Sequence, residues 1–131
     1  MIKSLSHVGV AVRNLEQAMD FFNSILQLET PNPTTGSFIR VCMLQVGGVK
    51  IELIEPIKDG VIARFLEKHG EGVHHICFEV DDIDLELESL AAKGIELVDK
   101  NPRPGAEGRI AFLHPRSTHG VLIELVQKTK K

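Results

Sequence analysis

The sequence contains only two cysteines, Cys42 and Cys77, and each stands alone in an apolar stretch with the composition of a strand. Disulfides form in oxidising compartments, whereas an isolated cysteine in an apolar run is usually a buried thiol. We therefore predict two buried, reduced thiols, no disulfide, and a cytoplasmic protein.

Other absences exclude whole classes of function. The net charge of −3 leaves no excess of basic residues to attract nucleic acid or an anionic membrane surface. No apolar run approaches the length of about 20 residues that spans a bilayer, and the N-terminal residues enter a strand pattern without room for a signal peptide. The sequence also lacks a nucleophile elbow, a phosphate-binding loop and a dinucleotide-binding glycine fingerprint. What remains is a globular protein, long enough at 131 residues to form one domain with its own core.

What the sequence does contain is an internal repeat. Residues 7–15 match residues 75–83 in the pattern His-apolar-x-apolar-x-Val, at an offset of 68. Residues 49–53 match residues 121–125 in the pattern Val-x-Ile-Glu-Leu, at an offset of 72. Because both ends of each half match, a chance similarity is a poor explanation, and we predict a duplicated unit.

Each half is predicted to fold as a strand, a helix and three strands, from alternating apolar residues in strands and helical spacing in helices. In the first half, the elements assigned to residues are a strand at 6–12, a helix capped by Asn14 with Gln17 and continuing to 26, and two of the three strands, at 38–46 and 49–54, joined by Gly47-Gly48. In the second half, they are a strand at 73–80, a helix capped by Asp81 or Asp82 and continuing to 91, and strands at 95–98, 109–113 and 120–127. A helix at 61–69 links the halves, the segment 105–108 is interpreted as a mobile lid, and a charged tail follows at 128–131.

The adjacent residues His74 and His75 point to opposite faces of their strand, so at most one of them can look into a given cavity. The repeat selects His75 as the counterpart of His7, and it pairs Glu52 with Glu124. If the first and last strands of each half are neighbours, about 4.8 Å apart, the His and Glu of that half can converge. Two imidazoles and two carboxylates around one point suit a divalent cation such as Co, Ni, Zn, Mn or Fe.

Structural roles are the alternative for each of these side chains. A single histidine in a strand is more often a hydrogen-bonded structural residue than a ligand, and a single glutamate there can be exposed at a sheet edge. Glu124 is the exception, because apolar residues flank it on both sides and an unpaired buried carboxylate costs several kcal/mol. We interpret the remaining polar candidates as structural or solvated residues: His74 and Glu79 as structural, and His69, His114 and His119 as solvated.

With the duplicated unit and the two His–Glu pairs in view, the chain resembles the vicinal oxygen chelate superfamily and, within it, the methylmalonyl-CoA epimerase family. The superfamily resemblance covers nearly the whole chain. The epimerase pattern is carried by residues 65–76 and 105–126, above all by the segment His-Pro-Arg-Ser-Thr-His-Gly-Val-Leu-Ile-Glu-Leu at 114–125.

The resemblance implies a fold, a metal site and a reaction. The fold is α+β, a single domain over 1–131 in which two tandem βαβββ modules, at about 5–56 and 73–127, form a cup-shaped, half-open barrel around a metal. The implied ligands are His7, Glu52, His75 and Glu124, and the expected ion is Co²⁺, with Zn²⁺, Ni²⁺ or Mn²⁺ as alternatives. The implied reaction interconverts (R)- and (S)-methylmalonyl-CoA by a 1,1-proton transfer through a metal-stabilised enolate, with Glu124 and Glu52 as catalytic residues. A homodimer with an acyl-CoA substrate, and no nucleic-acid or membrane partner, is also implied.

The sequence departs from the family pattern at two places. The family's second glutamate base comes from the strand that corresponds to 38–43, which carries no carboxylate here. Glu52 is then the candidate for that base, unless the reaction runs differently. Asp59-Gly60-Val61 replaces a Ser-Pro expected before the linking helix, which alters the substrate contacts expected there. The basic residues available to the coenzyme A phosphates are Lys50, Arg103, Arg109 and Arg116.

Two other functions fit the same fold. A lactoylglutathione lyase would use the same kind of quartet, but the segment 114–125 argues against it. A non-catalytic protein that sequesters ligands, as in antibiotic resistance, would not need two buried carboxylates beside a metal.

Overall fold

The computed structural model describes residues 1–129, which form eight strands and three α-helices. In chain order these are β1 (Ile2–Ala11), α1 (Leu15–Asp20), β2 (Thr34–Thr35), β3 (Ile39–Val46), β4 (Val49–Pro56), α2 (Val61–His69), β5 (Gly72–Val80), α3 (Ile83–Ala92), β6 (Arg103–Pro104), β7 (Gly108–Leu113) and β8 (Ile123–Lys128). The predicted α+β class, with strand, helix and three strands occurring twice, is confirmed. None of the helices in this part of the chain is both long and apolar enough to cross a bilayer.

The strands follow the order β2-β3-β4-β1-β5-β8-β7-β6 in the sheet. The chain forms two compact units, one of His7–His74 and one of Met1–Ser6 with the residues from His75 onward, so β1 contributes to both. The single domain over 1–131, with modules at about 5–56 and 73–127, stays a prediction.

In the unit His7–His74, the two sheet faces pack against different helices. The cluster towards α1 consists of Val12, Leu15, Cys42, Leu44 and Leu53. The cluster towards α2 consists of Ala11, Ile54, Ile62 and Leu66. Because neighbouring residues in a strand alternate between faces, His7 and Glu52 lie on the same face as Ala11 and Ile54, but nearer the other end of their strands.

The second unit has one helix-covered face. The cluster against α3 consists of Val80, Ile83, Leu87, Ala111, Leu113 and Leu125. By the same alternation, His75, Cys77 and Glu124 lie on the face that α3 does not cover. The candidate ligands therefore lie on the sheet face opposite α1 in the first unit and on the face opposite α3 in the second.

The predicted helix caps are present. The Asn14 side chain accepts a hydrogen bond from the Gln17 backbone N–H at 2.9 Å, and the Asp82 side chain accepts one from Leu85 N–H at 3.1 Å. Helix α2 has the predicted bounds and ends at Gly70, whose φ of 78° lies in the region that glycine adopts without strain.

The first helix is shorter than the prediction. Its α-helical part ends at Asp20, and Phe21–Ile25 continue as a π-helical turn closed by the hydrogen bond from Leu26 N–H to the Phe21 carbonyl. The apolar spacing continues through this turn, but Ile25 and Leu26 are 67% and 49% exposed. The prediction of an amphipathic helix to residue 26 is therefore wrong in its last turn, since a π turn rotates those residues off the buried face.

The prediction of a short strand at 95–98 is also wrong. Leu97 makes only an isolated bridge to Leu113, and the additional strand of this unit is β6, which pairs with β7 and was not predicted. A side chain explains the difference, because Asp99 accepts a hydrogen bond from Phe112 N–H at 2.8 Å and so replaces a strand partner. In the unit His7–His74, the two-residue strand β2 pairs with β3 and was likewise not predicted.

Both cysteines are buried and free, as predicted. Burial raises the pKa of the Cys42 thiol, which keeps it protonated. At the C-terminus, Lys128 is the last residue of β8, and Lys130 and Lys131 of the predicted tail lie outside the described residues.

Candidate metal centre

The first His–Glu pair lies on the parallel strands β1 and β4. The register places His7 opposite Lys50 and Gly9 opposite Glu52, so Glu52 is the diagonal neighbour of His7 on the same face. His7 Nε2 and Glu52 Oε1 are 3.5 Å apart. The histidine is buried, whereas the Glu52 side chain is 18% exposed.

The second pair repeats this geometry on the parallel strands β5 and β8. Cys77 lies opposite Glu124, which makes Glu124 the diagonal neighbour of His75. His75 Nε2 and Glu124 Oε1 are 3.2 Å apart, and both residues are buried. The repeat at offsets of 68 and 72 in the sequence therefore corresponds to a repeated His–Glu contact.

A small residue stands between histidine and glutamate in each pair. Gly9 and Cys77, two residues after His7 and His75, lie directly opposite the glutamates across the ladder. Side chains opposite each other in a sheet are close neighbours, whereas diagonal ones are normally about 7–8 Å apart. A small opposite residue leaves the glutamate room to lean towards the diagonal histidine. The sequence alone does not reveal this feature, although the two residues occupy equivalent positions of the repeat.

The donor atoms fit a metal ion. His7, His75 and Glu124 each offer one ligand atom, and the three atoms lie within 4.8 Å of one another. Ligand atoms bound to one first-row cation at about 2.0–2.2 Å are at most about 4.4 Å apart, which is close to this spacing. Glu52 is outside this group of three but contacts His7. Imidazole and carboxylate donors suit the divalent ions predicted from the sequence.

A layer of contacts orients the second pair. The Phe112 ring, opposite Glu124 in the β7–β8 register, meets the His75 ring edge to face at 5.9 Å between centroids. The Arg103 guanidinium lies 5.6 Å from the Phe112 ring centroid, and Asp99 accepts a hydrogen bond from Arg103 Nε at 3.1 Å. Such contacts restrict the rotamers of the groups they touch, which favours a preorganised site.

The residues interpreted as structural have structural contacts. His74 meets the Phe65 ring edge to face at 4.9 Å, and by alternation it lies on the face opposite His75. Glu79 lies 3.6 Å from Lys3 Nζ and 3.5 Å from Lys128 Nζ.

Two of the three remaining histidines also have partners. His69 stacks against Phe65 in a tilted arrangement at 5.0 Å, and His114 Nδ1 accepts a hydrogen bond from Arg116 N–H. Neither residue belongs to the group of three ligand atoms.

The segment interpreted as a lid is a tight turn between β6 and β7. Gly105 N–H donates to the Gly108 carbonyl at 2.7 Å, and Thr129 N–H donates to the Glu107 carbonyl at 3.1 Å. A Cβ on Gly108 would lie 2.1 Å from the Gln127 carbonyl oxygen, so this glycine allows a close backbone approach.

Strand β3, on which the resemblance implied a second glutamate base, carries an ion pair instead. On β3, Arg40 lies beside Glu16 and donates to Glu55 at 3.0 Å. Hydrogen bonds to these two carboxylates raise the pKa of Arg40, and Arg40 lowers that of Glu16. Glu55 also accepts from Leu15 N–H at 2.8 Å, so this network ties β3 and β4 to the start of α1. By alternation it lies on the face opposite Glu52.

The chain is similar to proteins of a known superfamily. The sequence pattern of the Glyoxalase/Bleomycin resistance protein/Dioxygenase superfamily matches residues 6–112. An uncharacterised protein, YqjC of Bacillus subtilis, is 40% identical over 94% of this chain and 91% of its own length. The mitochondrial methylmalonyl-CoA epimerase of Dictyostelium discoideum is 39% identical over 97% of this chain and 80% of its own.

A solved structure gives the same result. A methylmalonyl-CoA epimerase in complex with methylmalonyl-CoA and NH4⁺ superposes with a TM-score of 0.90 at 33% identity, over 98% of this chain and 96% of that one. At this identity and coverage, the likeness extends beyond the fold to the family. The chain thus belongs to the methylmalonyl-CoA epimerase family of the Glyoxalase/Bleomycin resistance protein/Dioxygenase superfamily.

Proposed function

We propose that this protein is a metal-dependent epimerase that interconverts (R)- and (S)-methylmalonyl-CoA by a 1,1-proton transfer. The observation that carries the proposal is the repeated, largely buried His–Glu contact in a chain of the epimerase family. Two carboxylates beside two imidazoles supply both the ligands of a divalent cation and the groups that can move a proton.

The proposed ligands are His7, Glu52, His75 and Glu124, and the proposed ion is Co²⁺, with Zn²⁺, Ni²⁺ and Mn²⁺ as alternatives. A divalent cation held there supplies Lewis-acid stabilisation of the negative charge that develops on the substrate oxygens. The proximity of donor atoms from His7, His75 and Glu124 supports the ligand set, and the contact of Glu52 with His7 supports adding the fourth.

The carboxylates have a second task, because epimerisation removes a proton from one face of the α-carbon and returns one to the other. We assign proton transfer to Glu124 and to Glu52, one for each face. The two glutamates come from the corresponding strands of the two repeats, β8 and β4. No residue at 38–43 is a carboxylate, which leaves Glu52 as the candidate for the second role.

Exchange of the substrate's α-proton tests the proposal. Purified protein loaded with Co²⁺ is incubated with methylmalonyl-CoA in heavy water, and deuterium at the α-carbon is followed by mass spectrometry, with chelator-treated protein as the control. The proposal predicts catalysed exchange that depends on the metal. Turnover of the hemithioacetal of glutathione and methylglyoxal without exchange would identify a lactoylglutathione lyase, and tight binding of a ligand without turnover would identify a sequestering protein.

We further propose a cytoplasmic homodimer that binds an acyl-CoA substrate and neither nucleic acid nor membrane. The two buried, free thiols support a reducing compartment. Light scattering of the metal-loaded protein tests the assembly, with a mass of twice 14.5 kDa expected and a mass of 14.5 kDa contradicting it.

A further inference from the structure

Arg103 lies on the sheet face that carries His75 and Glu124. It pairs with Ile110 in the β6–β7 register, and Phe112, two residues further along β7, lies opposite Glu124. Residues paired across a ladder share a face, and so do residues two apart in a strand, which places Arg103 on the face of Glu124. Its guanidinium lies over the Phe112 ring, 5.6 Å from the centroid. The charged end of Arg103 is therefore beside the row of residues that contains Glu124.

Two contacts fix the orientation of this guanidinium. Asp99 Oδ1 accepts a hydrogen bond from Arg103 Nε at 3.1 Å, and the Phe112 ring supports the group through a cation–π contact. The second oxygen of Asp99 accepts a hydrogen bond from Phe112 N–H at 2.8 Å, so the carboxylate is itself held in place. A guanidinium oriented in this way loses little conformational freedom when it binds a ligand.

The Nη groups of Arg103 are not used by these contacts. Within the described residues 1–129, Arg103 donates a hydrogen bond only through Nε, to Asp99. Arginines with a structural role in this chain use their Nη groups, since Arg109 donates from both to Asp84 and Arg40 donates from both to two glutamates. The Arg103 side chain is 53% exposed, so its Nη groups are open to a ligand.

An oxyanion fits this end of the guanidinium. The two Nη groups form a planar fork that matches the two oxygens of a carboxylate or a phosphate. The Phe112 ring beneath the fork also meets the ring of His75, a proposed metal ligand, at 5.9 Å between centroids. An oxyanion bound by Arg103 is therefore separated from this imidazole by a single aromatic ring.

We propose that Arg103 binds an oxyanion of the acyl-CoA through its Nη groups. An acyl-CoA with a dicarboxylic acyl group offers two such oxyanions, the free carboxylate of the acyl group and the phosphates of coenzyme A. This inference rests on the proposed function and adds a substrate-binding residue to the metal centre. The contacts with Asp99 and Phe112 orient the guanidinium for this task.

Binding measurements on matched variants test the inference. Co²⁺-loaded wild type, Arg103→Gln and Arg103→Lys are titrated by calorimetry with methylmalonyl-CoA. For Arg103→Gln, we expect the Kd to rise about 10- to 100-fold, the range of a lost charge-assisted hydrogen bond. Arg103→Lys keeps the charge without the planar fork, so it should recover only part of the loss. The control is Arg64→Gln, the same change at an exposed arginine of α2, which should alter the Kd less than about twofold.

Two further ligands identify the oxyanion. Propionyl-CoA lacks the free carboxylate, and methylmalonyl-pantetheine lacks the phosphates. If Arg103 binds the carboxylate, the loss in Arg103→Gln disappears with propionyl-CoA and persists with methylmalonyl-pantetheine. If it binds a phosphate, the loss persists with propionyl-CoA and disappears with methylmalonyl-pantetheine. Either pattern supports the inference, because one missing oxyanion then removes the effect of the substitution.

The other outcomes overturn the inference. A loss with all three ligands would assign Arg103 to the fold, and no loss with methylmalonyl-CoA would leave it without a role in binding. An equal loss in Arg64→Gln would reduce the effect to net charge. A weaker cobalt Kd in Arg103→Gln, measured alongside, would show that the arginine supports His75 through Phe112 instead. A wild type that binds these ligands but exchanges no α-proton would refute the proposed function, whereas the ratios of the Kd values test Arg103 separately.

Discussion

Glu124 is buried in a strand whose neighbouring residues, Leu125 and Val126, are also buried. A carboxylate in such surroundings loses its hydration, and this cost is offset only by cations, hydrogen bonds or a proton. The 3.2 Å contact with His75 and the nearby His7 donor supply partners for its oxygens. The same surroundings suit a group that exchanges a proton with a substrate in a site that excludes bulk water.

Glu124→Gln separates these tasks, because the amide keeps the shape and one ligand oxygen but cannot act as a base. We expect the variant to fold and to bind metal, with α-proton exchange on methylmalonyl-CoA lowered by about 10²- to 10⁴-fold. Exchange per metal-loaded molecule is the measurement. The matched control is Glu79→Gln, which should lower the melting temperature slightly and leave exchange unchanged. Near-normal exchange in Glu124→Gln would make Glu124 a ligand only and move the base to Glu52 or to Glu107 in the 105–108 turn.

Two adjacent histidines provide a second matched pair. His75→Ala removes a proposed ligand and should weaken cobalt binding by at least about 100-fold, beyond the usual 10- to 100-fold effect of a group that merely orients a ligand. His74→Ala, on the opposite face, should keep the cobalt Kd within about twofold and lower the melting temperature through the lost contact with Phe65. Cobalt titration monitored by visible absorption compares them. The reverse ranking would place the metal on the other face of β5.

The internal repeat is what allows individual site residues to be predicted from the sequence. The repeat singles out His75 rather than His74, and it pairs Glu52 with Glu124, before any register is known. The importance of Gly9 and Cys77 could not be predicted, because it depends on which residue lies opposite each glutamate in a parallel pair. The link from Asp99 through Arg103 to Phe112 was equally hidden, since it joins side chains from different segments.

Helices α1 and α3 both begin at a residue whose side chain caps the first helical turn. Removal of an N-cap typically costs about 1 kcal/mol, because a backbone N–H of the first turn loses its acceptor. We expect Asp82→Ala and Asn14→Ala each to lower the free energy of unfolding by about 1 kcal/mol in chemical denaturation. Glu88→Ala, an exposed change within α3, is the control and should be nearly neutral. Equal effects of the cap and control substitutions would contradict the role assigned to the caps.

A surface ion pair joins α3 to β7. Arg109 donates to both carboxylate oxygens of Asp84, at 2.8 and 3.0 Å, and this holds the pKa of Asp84 below its usual value. A group whose pKa is lower in the folded state stabilises that state above its unfolded pKa of about 3.9, and the contribution is lost as the pH falls through the folded value. Asp84→Asn should therefore melt slightly below wild type at pH 7, and the difference should shrink below about pH 4. A difference that stays constant with pH would point to helix propensity instead.

Local signals decide which elements could be predicted. Helix α2 begins and ends at the predicted residues because Gly60 and Gly70 flank a strongly amphipathic segment. The end of α1 could not be predicted, since the π turn at Phe21–Ile25 keeps the same apolar composition. Strands β2 and β6 have two residues each and contain proline or threonine, so alternation cannot reveal them. They form because β3 and β7 offer them a partner, which is a tertiary effect.

For the whole molecule, the duplication explains both the βαβββ order and the use of one His and one Glu from each half. The proposed chemistry uses this arrangement twice, since an epimerase needs an acid–base group for each face of one carbon atom. The repeat also shows where the halves have diverged, as at Lys50 and Leu122. The equivalent positions that kept their residues hold the proposed metal ligands.

The inversion of a single enantiomer is the decisive test of the proposed epimerase activity. Pure (S)-methylmalonyl-CoA is incubated with cobalt-loaded protein in heavy water, and the product is analysed for configuration and for deuterium at the α-carbon. An epimerase should give an equimolar mixture of the two enantiomers, with solvent deuterium at the α-carbon of the inverted product. Deuterium uptake with full retention of configuration, or no change in either property, would contradict an epimerase with acid–base groups on both faces.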